Sequence, residues 1–185
     1  MRNNFKPDNT WTLFLDRDGV INKRIVDGYV KRTDEFIFLD GVLESLKIFN
    51  ALFGRIIVVT NQRGIACGIM SSDDLKLVHN YMLAEVNNNG GRIDSIYYCP
   101  HDRDEKCTCR KPEPGMLIHA QRDYPEIDFS RSIMVGDSHS DIELGRSKGL
   151  HTVFIADHHD EIPQEISADV SFRSLLDFAR YLINV

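Results

Sequence analysis

Short apolar runs alternate with turn-forming clusters along the chain, and the spacing inside the runs switches between two periods. Trp11 to Leu15 and the β-branched run Ile56-Ile57-Val58-Val59, ending at Thr60, predict buried strands. Between them Val42, Leu46, Phe49 and Phe53 recur at helical spacing after Gly41. Ser71-Ser72-Asp73-Asp74 reads as a helix start, Leu75, Val78, Met82 and Val86 supply one apolar face, and Asn87-Asn88-Asn89-Gly90-Gly91 forms the stop. The alternation continues with a strand over Ile93–Cys99, a helix over Pro114–Tyr124, a strand over Ser132–Gly136, a short helix over Ser140–Ser147 and a strand over Thr152–Ile155. Leu175, Leu176, Ala179, Leu182 and Ile183 close the chain as an amphipathic helix. Strands alternating with helices predict crossover units, hence an α/β, Rossmann-like three-layer sandwich around a mostly parallel sheet. Asn22 to Asp40 is expected to form a small hairpin flap, too short for a separate cap domain. With no repeat, low-complexity tract or linker, residues 1–185 are expected to fold as a single domain.

Composition narrows the class. The chain has 185 residues, 42% hydrophobic and 27% charged, which argues against disorder and fibrous repeats. Twenty-two basic against 28 acidic residues give a net charge of −6, which disfavours nucleic acid as a partner. No uninterrupted apolar run exceeds four residues, so no membrane span is expected. The start, MRNNFKPDNTW, lacks the apolar core of a secretory signal, so a cytoplasmic protein is expected, and no apolar helix beyond those the core needs stands out, so a monomer is expected.

In an open parallel sheet ligands bind at the carboxyl ends of the strands, so the polar residues there come first. Asp16 and Asp18 follow the first strand, Thr60 and Asn61 the second, and Asp137 the fourth, while Lys111 lies in the connection after the third. Carboxylates brought this close repel one another unless a cation compensates them, and an all-oxygen ligand set suits Mg²⁺. A carboxylate can attack phosphorus, an ammonium can neutralise the phosphoryl oxygens, and a second carboxylic acid can protonate the leaving oxygen and later activate water. Asp is also common after strands as a cap and turn former, so Asp16 and Asp18 by themselves fit a structural role. Their combination with Thr60, Lys111 and Asp137, in that chain order, does not.

Three of the four cysteines fall within eleven residues, in Cys99-Pro100-His101, five residues, then Cys107-Thr108-Cys109. Three Cys and one His match a closed tetrahedral Zn²⁺ site, expected to be structural and to occupy the loop 99–109. Disulfides are disfavoured in a reducing compartment and awkward for C-x-C; the alternative is a chance set of reduced thiols. Cys67 reads as a buried or loop thiol. His79, His119 and His151 read as surface or packing residues, His139 as part of a helix start, His158 and His159 as loop residues, and Tyr29 as a ring able to close over a sugar.

The segments LFLDRDGVIN, VVTNQRGIACG, CRKPEPGM and MVGDSHSDI resemble, in order and spacing, the four signature motifs of the haloacid dehalogenase superfamily, from about Trp11 to Ser147. That resemblance implies Asp16 as nucleophile, Asp18 as general acid/base, and Thr60 and Asn61 as phosphoryl-binding groups. It also implies Lys111 as the neutralising cation and a Mg²⁺ site made of Asp16, the backbone carbonyl of Asp18, and Asp137. Asp141 would orient Lys111 or a water. The C-x-H and C-x-C-R-K-P loop is similar to that of two phosphatase families without a large cap, those acting on heptose bisphosphate and those acting on histidinol phosphate. INKRIVDGYVKRTDEFIFLDGV is closer to the heptose branch, which makes nucleotide-activated heptose. A phosphorylated sugar substrate is then implied, with contacts from Arg110 and from the segment Gln62 to Cys67. Arg63 stands where that family usually has Ser, Cys67 where it has Arg, and Ser138 where Lys is common, making Arg63 a candidate substitute for the distal phosphate. A phospho-acceptor signalling domain would carry its accepting Asp after the third strand, where this chain has Cys99-Pro100-His101. A zinc-dependent interaction module would leave Asp16, Asp18 and Lys111 unexplained. A phosphomutase would need a larger cap to retain its sugar.

Overall fold

The computed structural model describes residues 6–156 and 167–184. Six strands, β1 (Thr12–Leu15), β2 (Arg55–Asn61), β3 (Ser95–Cys99), β4 (Ser132–Gly136), β5 (His151–Ile155) and β6 (Val170–Phe172), form one sheet in the order β3-β2-β1-β4-β5-β6. Every pairing is parallel. The helices are α1 (Val42–Leu52), α2 (Ser72–Asn88), α3 (Gly115–Asp123), α4 (His139–Ser147) and α5 (Leu175–Ile183).

The two-residue period of the central strand divides the interior. Leu13 and Leu15 face one side, where they meet Leu46 and Phe49 of α1, Val78 and Met82 of α2, and Phe178 of α5. Phe14 faces the other, against Met116 and Leu117 of α3 and Leu144 of α4. β1 is buried from end to end because it has a strand on each edge and a helix layer on each face.

Helix α2 starts and stops where the sequence expects. Ser71 caps α2 by accepting from the Asp74 amide at 3.1 Å, while Asp74 accepts from the Ser71 amide at 2.8 Å. Three expectations change. β2 runs on through Thr60 and Asn61, so these two residues end the strand rather than follow it. The flap of residues 22–40 is not a hairpin of strands: Lys23 N donates to Ile37 O at 2.8 Å and Leu39 N to Ile21 O at 3.0 Å, and beyond that base the chain loops through a single 3₁₀ turn, Thr33–Glu35. β6 went unpredicted because three half-buried residues give no readable period. Val20, Ile21, Val30 and Phe36 insert into the first core and hold the flap over the sheet edge.

Phe14 is fully buried at the centre of the second core. Phe14→Ala is expected to cost about 3–5 kcal/mol of unfolding free energy. Urea unfolding should show a lowered midpoint with an unchanged slope, and a loss under about 1 kcal/mol would contradict the packing described.

Candidate active site

The strand order reverses direction between β1 and β4, and a parallel sheet opens a crevice at that switch point. Asp16 follows β1 and Asp137 follows β4. The Asp16 amide donates to Val135 O at 2.9 Å, which carries the ladder one residue past the strand and locks the reacting loop against β4. Gly19, at φ 94°, lets the backbone turn directly beneath Asp137; a Cβ there would overlap the Asp137 carboxylate.

Lys111 reaches this edge from the loop after β3. Its Nζ lies 2.7 Å from Asp16 Oδ1 and 2.7 Å from Asp141 Oδ1, and it donates to Val59 O at 3.0 Å. Burial pushes the ammonium pKa down, but Asp141 and Asp16 outweigh it and the result lies above the ordinary lysine value. The Arg17 amide also donates to Asp16 Oδ1, at 2.7 Å. Both bonds fall on the same oxygen, and among the described residues Asp16 Oδ2 takes none. Asp141 holds Lys111, the first of the two roles expected for it.

Asp18 is held differently. Arg17 Nη2 lies 2.9 Å from each of its carboxylate oxygens, Asn22 donates to Oδ1 at 2.9 Å and Gln62 to Oδ2 at 3.0 Å. Burial raises its pKa, yet Arg17 and these amides prevail and hold the carboxyl below the usual range. Gln62 also donates to Thr60 Oγ1 at 2.9 Å, tying the end of β2 to the same group. Asn61 clasps the Lys111 backbone, accepting from its amide at 3.0 Å and donating to its carbonyl at 3.4 Å.

Two arginines that the sequence reading did not single out complete the charge pattern. Arg17 is fully buried, a signal available in principle because it sits between two aspartates directly after an apolar run. Arg24 comes from the flap, where no periodicity marks it; its Nη2 donates to Asp137 Oδ1 at 2.8 Å and to the Asp18 carbonyl at 3.1 Å. These are two of the oxygen donors expected to hold a cation. The third, Asp16, has a carboxylate oxygen within 4.8 Å of those of Asp137 and Asp141. Burial is the main cause raising Asp137 to about 8 and Asp16 to about 6, with the carboxylates reinforcing one another. An all-oxygen donor set with excess negative charge fits Mg²⁺.

The expected loop ligands converge as well. Cys99 Sγ lies 3.5 Å from Cys107 Sγ and 3.6 Å from His101 Nδ1, His101 Nδ1 lies 3.2 Å from Cys109 Sγ, and Cys109 Sγ lies 3.5 Å from Cys107 Sγ. Metal–sulfur bonds of about 2.3 Å in a tetrahedron separate ligand atoms by about 3.8 Å, close to this spacing. Arg63 grips Asp102 of this loop through two bonds, 2.6 and 3.1 Å, and Arg110 Nη1 donates to the His101 carbonyl at 3.3 Å. Both arginines and Tyr29 line the crevice, roughly 530 Å³, that opens over Asp16. Cys67 is exposed, 3.9 Å from Asp102, and His119 is exposed on α3. His151 stacks on Trp11 at 5.4 Å. His139 begins α4 and pairs with Glu143 at 3.2 Å. His158 and His159 lie outside the described residues. His79, expected on the surface or in packing, is buried and bonded to Arg17.

A parallel sheet of this order with an aspartate pair after β1, a lysine paired to it and an aspartate after β4 defines a hydrolase of the haloacid dehalogenase type. A HAD-hydrolase-like family model matches residues 108–170. The D-glycero-alpha-D-manno-heptose-1,7-bisphosphate 7-phosphatase of Mycobacterium bovis is 40% identical over 172 residues, covering 91% of this chain and 90% of that protein. The D-glycero-beta-D-manno-heptose-1,7-bisphosphate 7-phosphatase of Vibrio cholerae is 37% identical over 182 residues, covering 94% and 96%. The crystal structure of D,D-heptose 1,7-bisphosphate phosphatase from B. bronchiseptica complexed with magnesium and phosphate superposes with a TM-score of 0.84 at 31% identity, over 94% of this chain and 98% of that one. The chain belongs to the heptose-1,7-bisphosphate 7-phosphatase family, hydrolases acting on phosphate esters. Among the described residues no helix is long and apolar enough to cross a membrane.

The raised carboxyls make a pH-dependent prediction. Their ordinary value is 3.8, and in the fold they protonate near 6 and 8. The stability they contribute is therefore complete below about pH 4 and lost as pH rises through 6 and then 8. A divalent cation binds the deprotonated pair and opposes that loss, so saturating Mg²⁺ should raise Tm more at about pH 8 than at about pH 5.5. Equal shifts at both values in a thermal melt would contradict the assignment.

Proposed function

We propose that this protein removes the 7-phosphate of D-glycero-D-manno-heptose 1,7-bisphosphate through an aspartyl-phosphate on Asp16. The single observation that carries the mechanism is the one-sided bonding of Asp16: Lys111 and the Arg17 amide both hold Oδ1, so Oδ2 is the oxygen available to attack phosphorus. As the P–O bond to the sugar breaks, Asp18 gives its proton to the departing alkoxide. In the second step Asp18, now a carboxylate, takes a proton from water as that water attacks phosphorus, and the Asp16–phosphorus bond opens. Lys111 neutralises charge on the transferring group while Asp141 keeps it in place. The free protein holds Asp18 deprotonated, and a phosphate dianion arriving beside it favours the protonated form needed first.

Mg²⁺ would be held by Asp16, Asp137 and the Asp18 carbonyl, where it supplies Lewis-acid compensation of phosphoryl charge. Thr60, Asn61 and Gln62 line the crevice and would receive phosphoryl oxygens. Arg110 and Arg63 are the candidate groups for the distal phosphate, their place in the crevice supporting both and the family resemblance supporting Arg110 alone. Zn²⁺ in Cys99, His101, Cys107 and Cys109 leaves no open position and would be structural, fixing the loop that presents both arginines.

Phosphate release with Mg²⁺ should show kcat/KM for heptose 1,7-bisphosphate about a hundredfold or more above that for histidinol phosphate. Asp16→Asn should reduce turnover on both to background while leaving the melt intact. Preference for histidinol phosphate would overturn the substrate, and activity in Asp16→Asn would overturn the covalent route. Elemental analysis is expected to find one zinc per chain; a zinc-free protein of full activity would remove the metal from the loop.

A further inference from the structure

Helix α2 takes no part in the chemistry described so far, yet one of its side chains touches the reacting loop. Its buried face carries Leu75, Val78, Met82 and Val86, and His79 falls on the same stripe, 7% exposed. His79 Nε2 lies 3.1 Å from Arg17 Nη1. A guanidinium only donates, so Nε2 is the acceptor, which makes the ring neutral with its proton on Nδ1. Burial and the neighbouring Arg17 charge act in the same direction, holding the ring's pKa down to about 3. Tyr98 of β3 packs edge-on to the imidazole, ring centroids 6.1 Å apart.

We infer that His79 is a positioning residue for proton transfer: by fixing Arg17, it sets the direction in which Asp18 presents its carboxyl to the leaving oxygen. Arg17 is the largest fully buried side chain among those described. Its guanidinium has two partners, Asp18 through Nη2 and His79 through Nη1, while Nε is buried without one. An ion pair held at one end is a pivot. Held at both ends, the guanidinium becomes a rigid bracket, and the Asp18 carboxylate is attached to that bracket by the only charge-assisted bonds it makes among the described residues. Asn22 and Gln62 hold the same carboxylate with neutral amides, and Gln62 is shared with Thr60, so neither substitutes for the bracket. Proton transfer depends steeply on orientation, and a displacement of about 1 Å can cost about 10²-fold.

The inference rests on the reading of Asp18 as general acid, and the test separates the two. His79→Leu fills the space without accepting a hydrogen bond, whereas His79→Gln can accept from Arg17 through its amide oxygen. Each is compared with the parent and with Asp18→Ala on heptose 1,7-bisphosphate and on p-nitrophenyl phosphate, whose phenolate departs without a proton. The quantity read is kcat/KM, which reports only steps up to departure of the alcohol. His79→Leu should lose about tenfold on the sugar phosphate and under about threefold on p-nitrophenyl phosphate, and His79→Gln should recover most of the loss. Equal losses on the two substrates, no loss in His79→Leu, or a Gln variant no better than Leu would each overturn the positioning role. Asp18→Ala should show the same selectivity, larger, at about 10²-fold or more. Equal losses in Asp18→Ala would overturn the acid assignment and the inference with it, whereas selective loss in Asp18→Ala alone would overturn only the role of His79.

Discussion

The Lys111 ammonium lies in the protein interior with carboxylate oxygens of Asp16 and Asp141 each 2.7 Å away, and the geometry of the site follows from that burial. A charge removed from water must be met by opposite charge and hydrogen bonds, because an unpaired buried ion costs several kcal/mol or more. Lys111 comes from the loop after β3, Asp16 from the end of β1 and Asp141 from α4. Their mutual requirement draws three distant segments to one point. The Val59 carbonyl takes a further donor hydrogen, so β2 is joined to the same centre. Removing Lys111 would leave two buried carboxylates uncompensated, whereas removing either carboxylate would still leave the ammonium one counter-charge.

The sheet makes this convergence possible. β1 is central, so a residue just past its end has β2 on one side and β4 on the other, and helices from both layers start or end nearby. Asp16 extends the ladder to Val135, which carries the strand's rigidity into the reacting loop. Asp18, two residues on, has left the ladder and depends on side chains for its position: Arg17, Asn22 and Gln62. The two carboxylates are therefore held by different means. The one expected to attack is fixed by backbone and ammonium, and the one expected to move protons sits in a shell of exchangeable hydrogen bonds.

Much of this was legible in the residues. The strands and helices that carry the site follow from periods of 2 and 3.6, and β4 has the predicted bounds, Ser132–Gly136. Asp16, Asp18, Thr60 and Asp137 were visible because polar groups stand out at the ends of apolar strands, and Lys111 because it completes their chemistry from the connection after the third. What escaped has physical reasons. Arg24 acts from an irregular flap, where side-chain direction is set by loop backbone and no period reports it. Arg17 reads as a surface charge until its burial is known, since arginine is rarely fully enclosed. His79 could have been suspected from its place on the apolar stripe of α2, but spacing cannot say which neighbour a buried imidazole meets.

Charge accounts for how the site can accept both a cation and an anion. Once every carboxylate is ionised, the form a cation binds, Asp16, Asp18, Asp137 and Asp141 face Arg17, Arg24 and Lys111 with one negative charge in excess. A divalent cation turns that excess into one positive charge, and a phosphate dianion then returns it to one negative. Neither state departs far from neutrality, which matters in a crevice where water screens weakly. Of the three cations Arg24 is the exposed one, with about half of its side chain in solvent, whereas Arg17 and Lys111 are enclosed. The enclosed pairs maintain the frame, and the bond from Arg24 to Asp137 is the one that can yield to an incoming ion without exposing or stranding a buried charge.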